Sequence, residues 1–207
     1  MMPMSTSTAA DLWPEIEPEA ARRLLIAGVE SFARRGFHAT TTRHIASGAG
    51  MSPAALYVHF PSKAALLYEI ARRGHELTLE MVRKAASRGT DPVERLRALV
   101  EEFTSWHAER HMVARVIQYE LKALPKDGFE VVAGLRRRCV QVVRDLIEEG
   151  VAAGAFKVSD VRTASRAVLS LGIDVARWYH DRSPESPRQL GREYAALALR
   201  MLGAPGV

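Results

Sequence analysis

Residues 40–68, TTTRHIASGAGMSPAALYVHFPSKAALLY, decide how the rest of the chain is read. Ala46, Gly50 and Leu56 are spaced four and then six residues apart. They supply a small residue where two helices cross, a glycine free to take positive φ in the turn, and an apolar plug from the second helix. That is the steric signature of a helix-turn-helix. Ser52-Pro53 starts the second helix, because a serine oxygen caps orphan N–H groups and proline at the first helical position has no N–H to lose. Pro61-Ser62-Lys63 ends that helix and caps the next.

Working outward, FARRGF, TTTRHIA, GMSPAALYVHF and PSKAALL follow in order between Leu24 and Leu67. This run closely resembles the DNA-binding domain of TetR-family transcriptional regulators. The resemblance implies an all-α chain that binds a palindromic double-stranded operator as a homodimer and is released by a small-molecule effector, with no active site or cofactor. Thr42 and Arg43 match positions that reach the DNA, and Tyr57, His59 and Lys63 match positions that hold backbone phosphates. Arg43 carries the long guanidinium of the reading unit and has the geometry to fork onto guanine O6 and N7. Ser52, Pro53, Ala54 and Ala55 open the recognition helix with one hydroxyl and methyl surface suited to thymine. Pro53 departs from the Lys or Gln often found there. One polar contact is lost, which shifts weight toward the shape of the DNA.

Charge supports that placement. Residues 19–75 hold eight Lys/Arg against three Asp/Glu, whereas 76–207 hold twenty-one against eighteen, so basic density sits on the motif. The 207 residues are 47% hydrophobic, enough to bury a sizeable core in one or two domains. Cys139 is the one cysteine, so no intramolecular disulfide forms and a reducing, cytoplasmic setting is expected. No apolar run reaches membrane-spanning length. Residues 1–18, MMPMSTSTAADLWPEIEP, lack the basic leader and apolar segment of a secretory signal and read as a loose arm.

Periodicity reads as about nine helices, and the resemblance implies that they divide into a DNA-binding domain over 19–70 and a ligand-binding and dimerisation domain over 71–207. Ala21, Leu24, Leu25, Gly28, Val29 and Phe32 make the stripe of a first helix that Gly36 ends. Helix four runs from about Ser62 to Ser87 and is the mechanical link. Asp91-Pro92 with Glu94 reads as a capping box. Three stripes follow, with breaks at 108–112 and 125–128, and Gly154 closes the third. Val161, Ala164, Val168, Leu171, Val175 and Trp178 then step 3, 4, 3, 4, 3, a coiled-coil-like seam on a helix starting at Ser159. With the helix from Ser186 it is expected to build a four-helix dimer bundle, the way TetR-like proteins dimerise.

The family's effector cavity lies in the second domain, and Phe103, Trp106, His107, Val116, Tyr119, Leu135 and Cys139 are its candidate liners: apolar with a few polar handles. The segments ARVIQYELKAL, RRRC, DVARWYHD and SPRQL resemble the branch of the family responding to steroid-derived or fatty acyl-CoA thioesters. Arg177, Trp178 and Arg182 are the candidates for a bulky anionic head. A different reading starts from His107 and His111, four apart, which on one helix face would share a zinc ion as a metal sensor or hydrolase. Glu109 lies two residues after His107 rather than one, off the zincin pattern, and no third ligand is evident.

Overall fold

The computed structural model describes residues 13–204. Nine α-helices are present among them and no strand. They are α1 Glu19–Ala39, α2 Thr42–Gly48, α3 Pro53–His59, α4 Lys63–Ala86, α5 Pro92–Glu109, α6 His111–Tyr119, α7 Lys126–Ala152, α8 Val161–Trp178 and α9 Pro187–Met201, with a 3-10 turn at Leu121–Ala123. One compact unit takes in the described residues through His75 together with 112–133. The other takes in 76–111 and 134 onward.

The first unit is built on α1, which packs against α2 and α3. Leu24, Leu25, Val29 and Phe32 on its inner face are buried, as are Ile45, Leu56, Leu66 and Ile70. Each such side chain contributes roughly 1.5–3 kcal/mol by leaving water. At Gly28 a Cβ would strike Leu66 and lie 3.2 Å from Ile70, so α1 and α4 touch through bare backbone.

The turn between α2 and α3 forms as its spacing requires. Gly50 takes φ 66, the Met51 N–H donates to Ala46 O at 2.8 Å and the Gly50 N–H to Ser47 O at 3.0 Å. These two bonds are a Schellman closure, which needs a left-handed residue at that point. Gly36 also departs from helical geometry, at φ 74 and ψ 166, and puts a kink near the end of α1.

Three local expectations are corrected. Residues 13–18 of the N-terminal arm are packed rather than loose, with Trp13 3% and Ile16 7% exposed and Glu15 paired to Arg73 at 3.2 Å; residues 1–12 lie outside the described residues. The 125–128 break falls earlier, at the 3-10 turn and Pro125. Gly128 lies inside α7, where a Cβ would come 2.7 Å from the Tyr68 ring, so this glycine serves close packing. At α5, Asp91 caps the Val93 N–H at 3.0 Å, while Glu94 lies 3.8 Å from Arg97 instead of closing a capping box.

In the second unit α5 packs on α8 and α9. The crossings are close: a Cβ on Gly172 would lie 2.7 Å from Phe103, and one on Gly191 2.5 Å from the Glu101 carbonyl oxygen. Ser105 Oγ adds a bond to Pro187 O at 3.0 Å. α8 begins one residue later than Ser159 predicts, because Asp160 is the better acceptor and caps the Arg162 N–H at 2.9 Å.

The proposed seam of α8 is also corrected. Val168 packs in a core with Leu96, Phe103 and Leu199, and Val175 packs with Ala108, Tyr179 and Leu190. Both are therefore spent inside the chain. The apolar residues left outward are Trp178 (43% exposed) on α8 and Leu197 and Met201 on α9, with Leu171 half-buried. A 3–4 repeat marks a buried stripe without saying which neighbour buries it.

Candidate functional site

Leu56 sets the rotation of α3. Because it is wholly buried, Pro53, Ala54, Tyr57 and Val58 face outward, with Tyr57 54% and Val58 79% exposed. Ser52 caps the helix by accepting from the Ala55 N–H at 3.3 Å, which leaves its own O–H to donate. Ala55 and His59 are half-buried on the flank. Thr42 Oγ1 lies 3.5 Å from Tyr57 OH, which ties the start of α2 to the outer face of α3. Arg43 is exposed on α2. The residues expected to read DNA thus gather on two short helices, except for Lys63.

Lys63 is turned inward. Its Nζ donates to Phe37 O at 2.6 Å and Thr40 O at 2.5 Å and sits 4.2 Å from the Phe37 ring centroid. Past the kinked end of α1 the Phe37 O also accepts from the Thr40 N–H at 3.2 Å, and the long cationic side chain at the start of α4 adds a donor to it and to Thr40 O. Thr40 completes this knot, its Oγ1 directed at Ser31 O and Gly36 O at 3.1 and 2.8 Å.

Two residues of this face were not singled out from sequence. His44 closes a capping box: the His44 N–H donates to Thr41 Oγ1 at 3.2 Å and the Thr41 N–H to His44 Nδ1 at 3.3 Å. With Nδ1 accepting, the neutral ring carries its proton on Nε2 and offers an outward donor. The signal was present as T-x-x-H, with histidine where a capping box usually has Glu or Gln. Val58 adds exposed methyl surface one residue beyond Tyr57 and is legible only once Leu56 is known to point in.

The candidate effector residues divide among several places. On α5 His107 meets Phe103 in a tilted contact at 4.2 Å between ring centroids and Trp106 edge-on at 5.1 Å. Leu135 and Cys139 cluster with Leu79, and burial pushes the Cys139 thiol up to about 11 against the pull of Arg136, Arg83 and Arg138. Val116 is buried and Tyr119 is 43% exposed, both on α6 in the first unit. Arg177 lies 3.4 Å from Asp174, and the Arg182 N–H donates to His180 Nδ1 at 3.2 Å in an exposed turn after α8. Thr104, not anticipated, is fully buried and its Oγ1 has no hydrogen-bond partner among the described residues.

The metal reading loses its geometric premise. Arg110, at φ −107 and ψ 33, breaks the helix between His107 on α5 and His111 on α6, so the pair does not share one helix face. His107 is buried with Nδ1 2.8 Å from Phe103 O, and His111 Nδ1 faces Ala108 O at 3.2 Å. Burial and the nearby charge of Arg136 push the His107 pKa down to about 4, outweighing the Phe103 carbonyl that favours the protonated ring. Among the described residues no group of three His, Cys, Asp or Glu is placed to hold a metal ion.

Between α4 and α7 the second unit carries an open groove of about 800 Å³, lined on α4 by Glu76, Leu79, Glu80, Arg83, Lys84 and Ser87 and on α7 by Leu135 and Arg138. No helix of the described residues is long and apolar enough to cross a membrane.

Known proteins share this architecture. Residues 19–70 match the family described as bacterial regulatory proteins, tetR family, and residues 89–202 match the tetracyclin repressor-like C-terminal domain. The chain is 33% identical over 188 residues to the HTH-type transcriptional repressor KstR2 of Mycolicibacterium smegmatis, covering 87% of this chain and 90% of that protein. A tetR-family regulatory protein from Rhodococcus RHA1 superposes with a TM-score of 0.85 at 40% identity, over 90% of this chain and 98% of its own. FadR from Bacillus subtilis, solved in complex with stearoyl-CoA, shares the fold at a TM-score of 0.70 and 21% identity, over 86% and 96% of the two chains. A helix-turn-helix built on Ala46, Gly50 and Leu56, followed by a helical C-terminal domain of matching sequence, places this chain in the tetR family of bacterial regulatory proteins.

Proposed function

We propose that the protein is a homodimeric cytoplasmic repressor that binds a palindromic operator and is released by a CoA thioester. The observation that carries the DNA half is the outward face of α2 and α3, where Arg43, His44, Ser52 and Tyr57 offer donors beside the methyl surface of Ala54 and Val58. Beneath that face the polar groups of Thr40, Thr41 and Lys63 are spent on internal bonds. Arg43 is the base reader and Tyr57 and His59 the phosphate contacts, while Lys63 acts mainly by holding the start of α2 in place. Two reading heads must meet successive major grooves about 34 Å apart, so a symmetric dimer and a palindrome go together.

Trp178, Leu197 and Met201, with Leu171, form the face on which a second copy packs. α4 runs unbroken from Lys63, beside the reading helices, to Ala86, and a ligand that tilts it changes the spacing of the heads. The CoA reading draws on the relatives: KstR2 is a repressor, and FadR was solved with stearoyl-CoA. The rings of Phe103 and Trp106, each packed on His107, beside the partnerless Thr104 hydroxyl suit the thioester end of such a ligand.

Selection of bound duplexes from a randomised library, followed by anisotropy titration of palmitoyl-CoA into the selected complex, tests both halves. A palindromic consensus released by the thioester is expected. Selection of non-palindromic DNA, or release by free acids and not by thioesters, overturns the corresponding half.

A further inference from the structure

The groove between α4 and α7 is polarised. On α4, Leu79, Arg83, Lys84 and Ser87 share one helix face, and on α7 Leu135 and Arg138 stand three apart opposite them. Some arginines of this unit are paired, Arg95 with Glu149 at 2.6 Å and Arg144 with Glu148 at 2.8 Å. Among the described residues, Arg83, Lys84 and Arg138 have no such ion-pair partner, although all three are exposed on the same concavity. The carboxylates, Glu76 and Glu80, come earlier on the α4 face, so an anion is repelled from their end and drawn to the C-terminal end of the helix. Beneath lie Leu79 and Leu135, 5% and 3% exposed, packed with Cys139 into a firm apolar floor.

Three cations beside an apolar floor recognise a particular chemistry, a multiply charged phosphate joined to a less polar chain. Guanidinium forks match phosphate oxygens, and the lysine adds a point charge. The volume, about 800 Å³, is that of a small-molecule site. We infer that Arg83, Lys84 and Arg138 anchor the phosphate-bearing end of the effector, with Leu79 and Leu135 under its adjoining chain. The inference rests on the CoA-thioester reading above, and it moves the anionic head from Arg177 and Arg182 to the α4–α7 groove. A ligand held there grips α4 near its C-terminus and so acts on the helix that begins at Lys63.

Calorimetric titration of the full-length protein tests this with palmitoyl-CoA, adenosine 3′,5′-bisphosphate and palmitate. The variants are Arg83→Ala/Arg138→Ala, Lys84→Ala, and Arg166→Ala as an exposed control outside the groove. Loss of two phosphate forks should weaken palmitoyl-CoA and the bisphosphate roughly tenfold or more and flatten their salt dependence, leaving palmitate and the control unchanged. Palmitoyl-CoA bound equally by wild type and the double variant overturns the groove and leaves the CoA reading standing. A bisphosphate that binds in a groove-dependent way while palmitoyl-CoA does not bind keeps the groove and removes the CoA thioester as effector. Absence of binding by either phosphate compound overturns both.

Discussion

The two units of the chain both cap their helices with polar side chains, but they differ at the surfaces through which each is proposed to act. In the first, the hydroxyls of Thr40, Thr41 and Ser52, the ring of His44 and the amine of Lys63 are committed to backbone groups, and each bond fixes where α2 or α3 begins. In the second, the Thr104 hydroxyl is buried without a partner among the described residues, and Arg83, Lys84 and Arg138 line a groove shared with Glu76 and Glu80 without an ion pair among them. A reading head must present the same shape every time, so the groups that set the starts of α2 and α3 are satisfied from within, although Trp13 Nε1 elsewhere in this unit is buried without a partner among the described residues. A responsive domain keeps polar groups in reserve, because only those gain from a ligand.

The sharpest way to break this contrast is to charge the two sides of α8 and α9. Val175→Glu places a carboxylate among Ala108, Tyr179 and Leu190 and should cost on the order of 3–5 kcal/mol, seen as collapse of the second unit in a circular-dichroism melt. Leu197→Glu, on the outward face, should leave the fold intact and yield monomers in light scattering. A monomeric, well-folded Val175→Glu would reverse the assignment of the two faces.

The next effect is set by pH. His107 is neutral in the fold, its pKa lowered from 6.5 to about 4, whereas the unfolded chain protonates near 6.5. The unfolded state therefore binds more protons between these values, so this group's contribution rises with pH from about 4 to 6.5 and is flat above, by up to about 3 kcal/mol. Urea midpoints of His107→Gln measured against wild type should lose that part of the slope. An identical slope in both proteins removes His107 as the source.

Smaller effects separate reading from positioning within the first unit. Arg43→Ala should keep the melting temperature and lose about 1–3 kcal/mol at one base position per half-site. Lys63→Ala should lower the melting temperature, because Thr40 O loses its side-chain donor and Phe37 O keeps only the Thr40 N–H, at about 1–3 kcal/mol, and weaken all DNA sequences alike. Smallest is Ser52→Ala, which removes the α3 cap at about 1 kcal/mol. If Lys63→Ala melts like wild type yet loses salt-dependent binding, the amine is a phosphate contact after all.

Much of this was legible in the residues themselves. The spacing of Ala46, Gly50 and Leu56 determined the helix-turn-helix, because a left-handed turn and a helix crossing admit few side chains and those act on near neighbours. Caps at Ser52, Asp91 and Ser186, the kink at Gly36 and the stop at Gly154 are local too, set within a few residues of chain. Tertiary structure alone decided that Val168 and Val175 face inward while Leu197 and Met201 stay out, that Lys63 turns to α1, that Trp13 is packed, and that Arg83 and Arg138 meet across one groove. Periodicity reports that a face is apolar and charge reports that a side chain is polar. Which partner either one meets depends on contacts between residues far apart in sequence, such as the 26 positions between Phe37 and Lys63, and no local pattern encodes those.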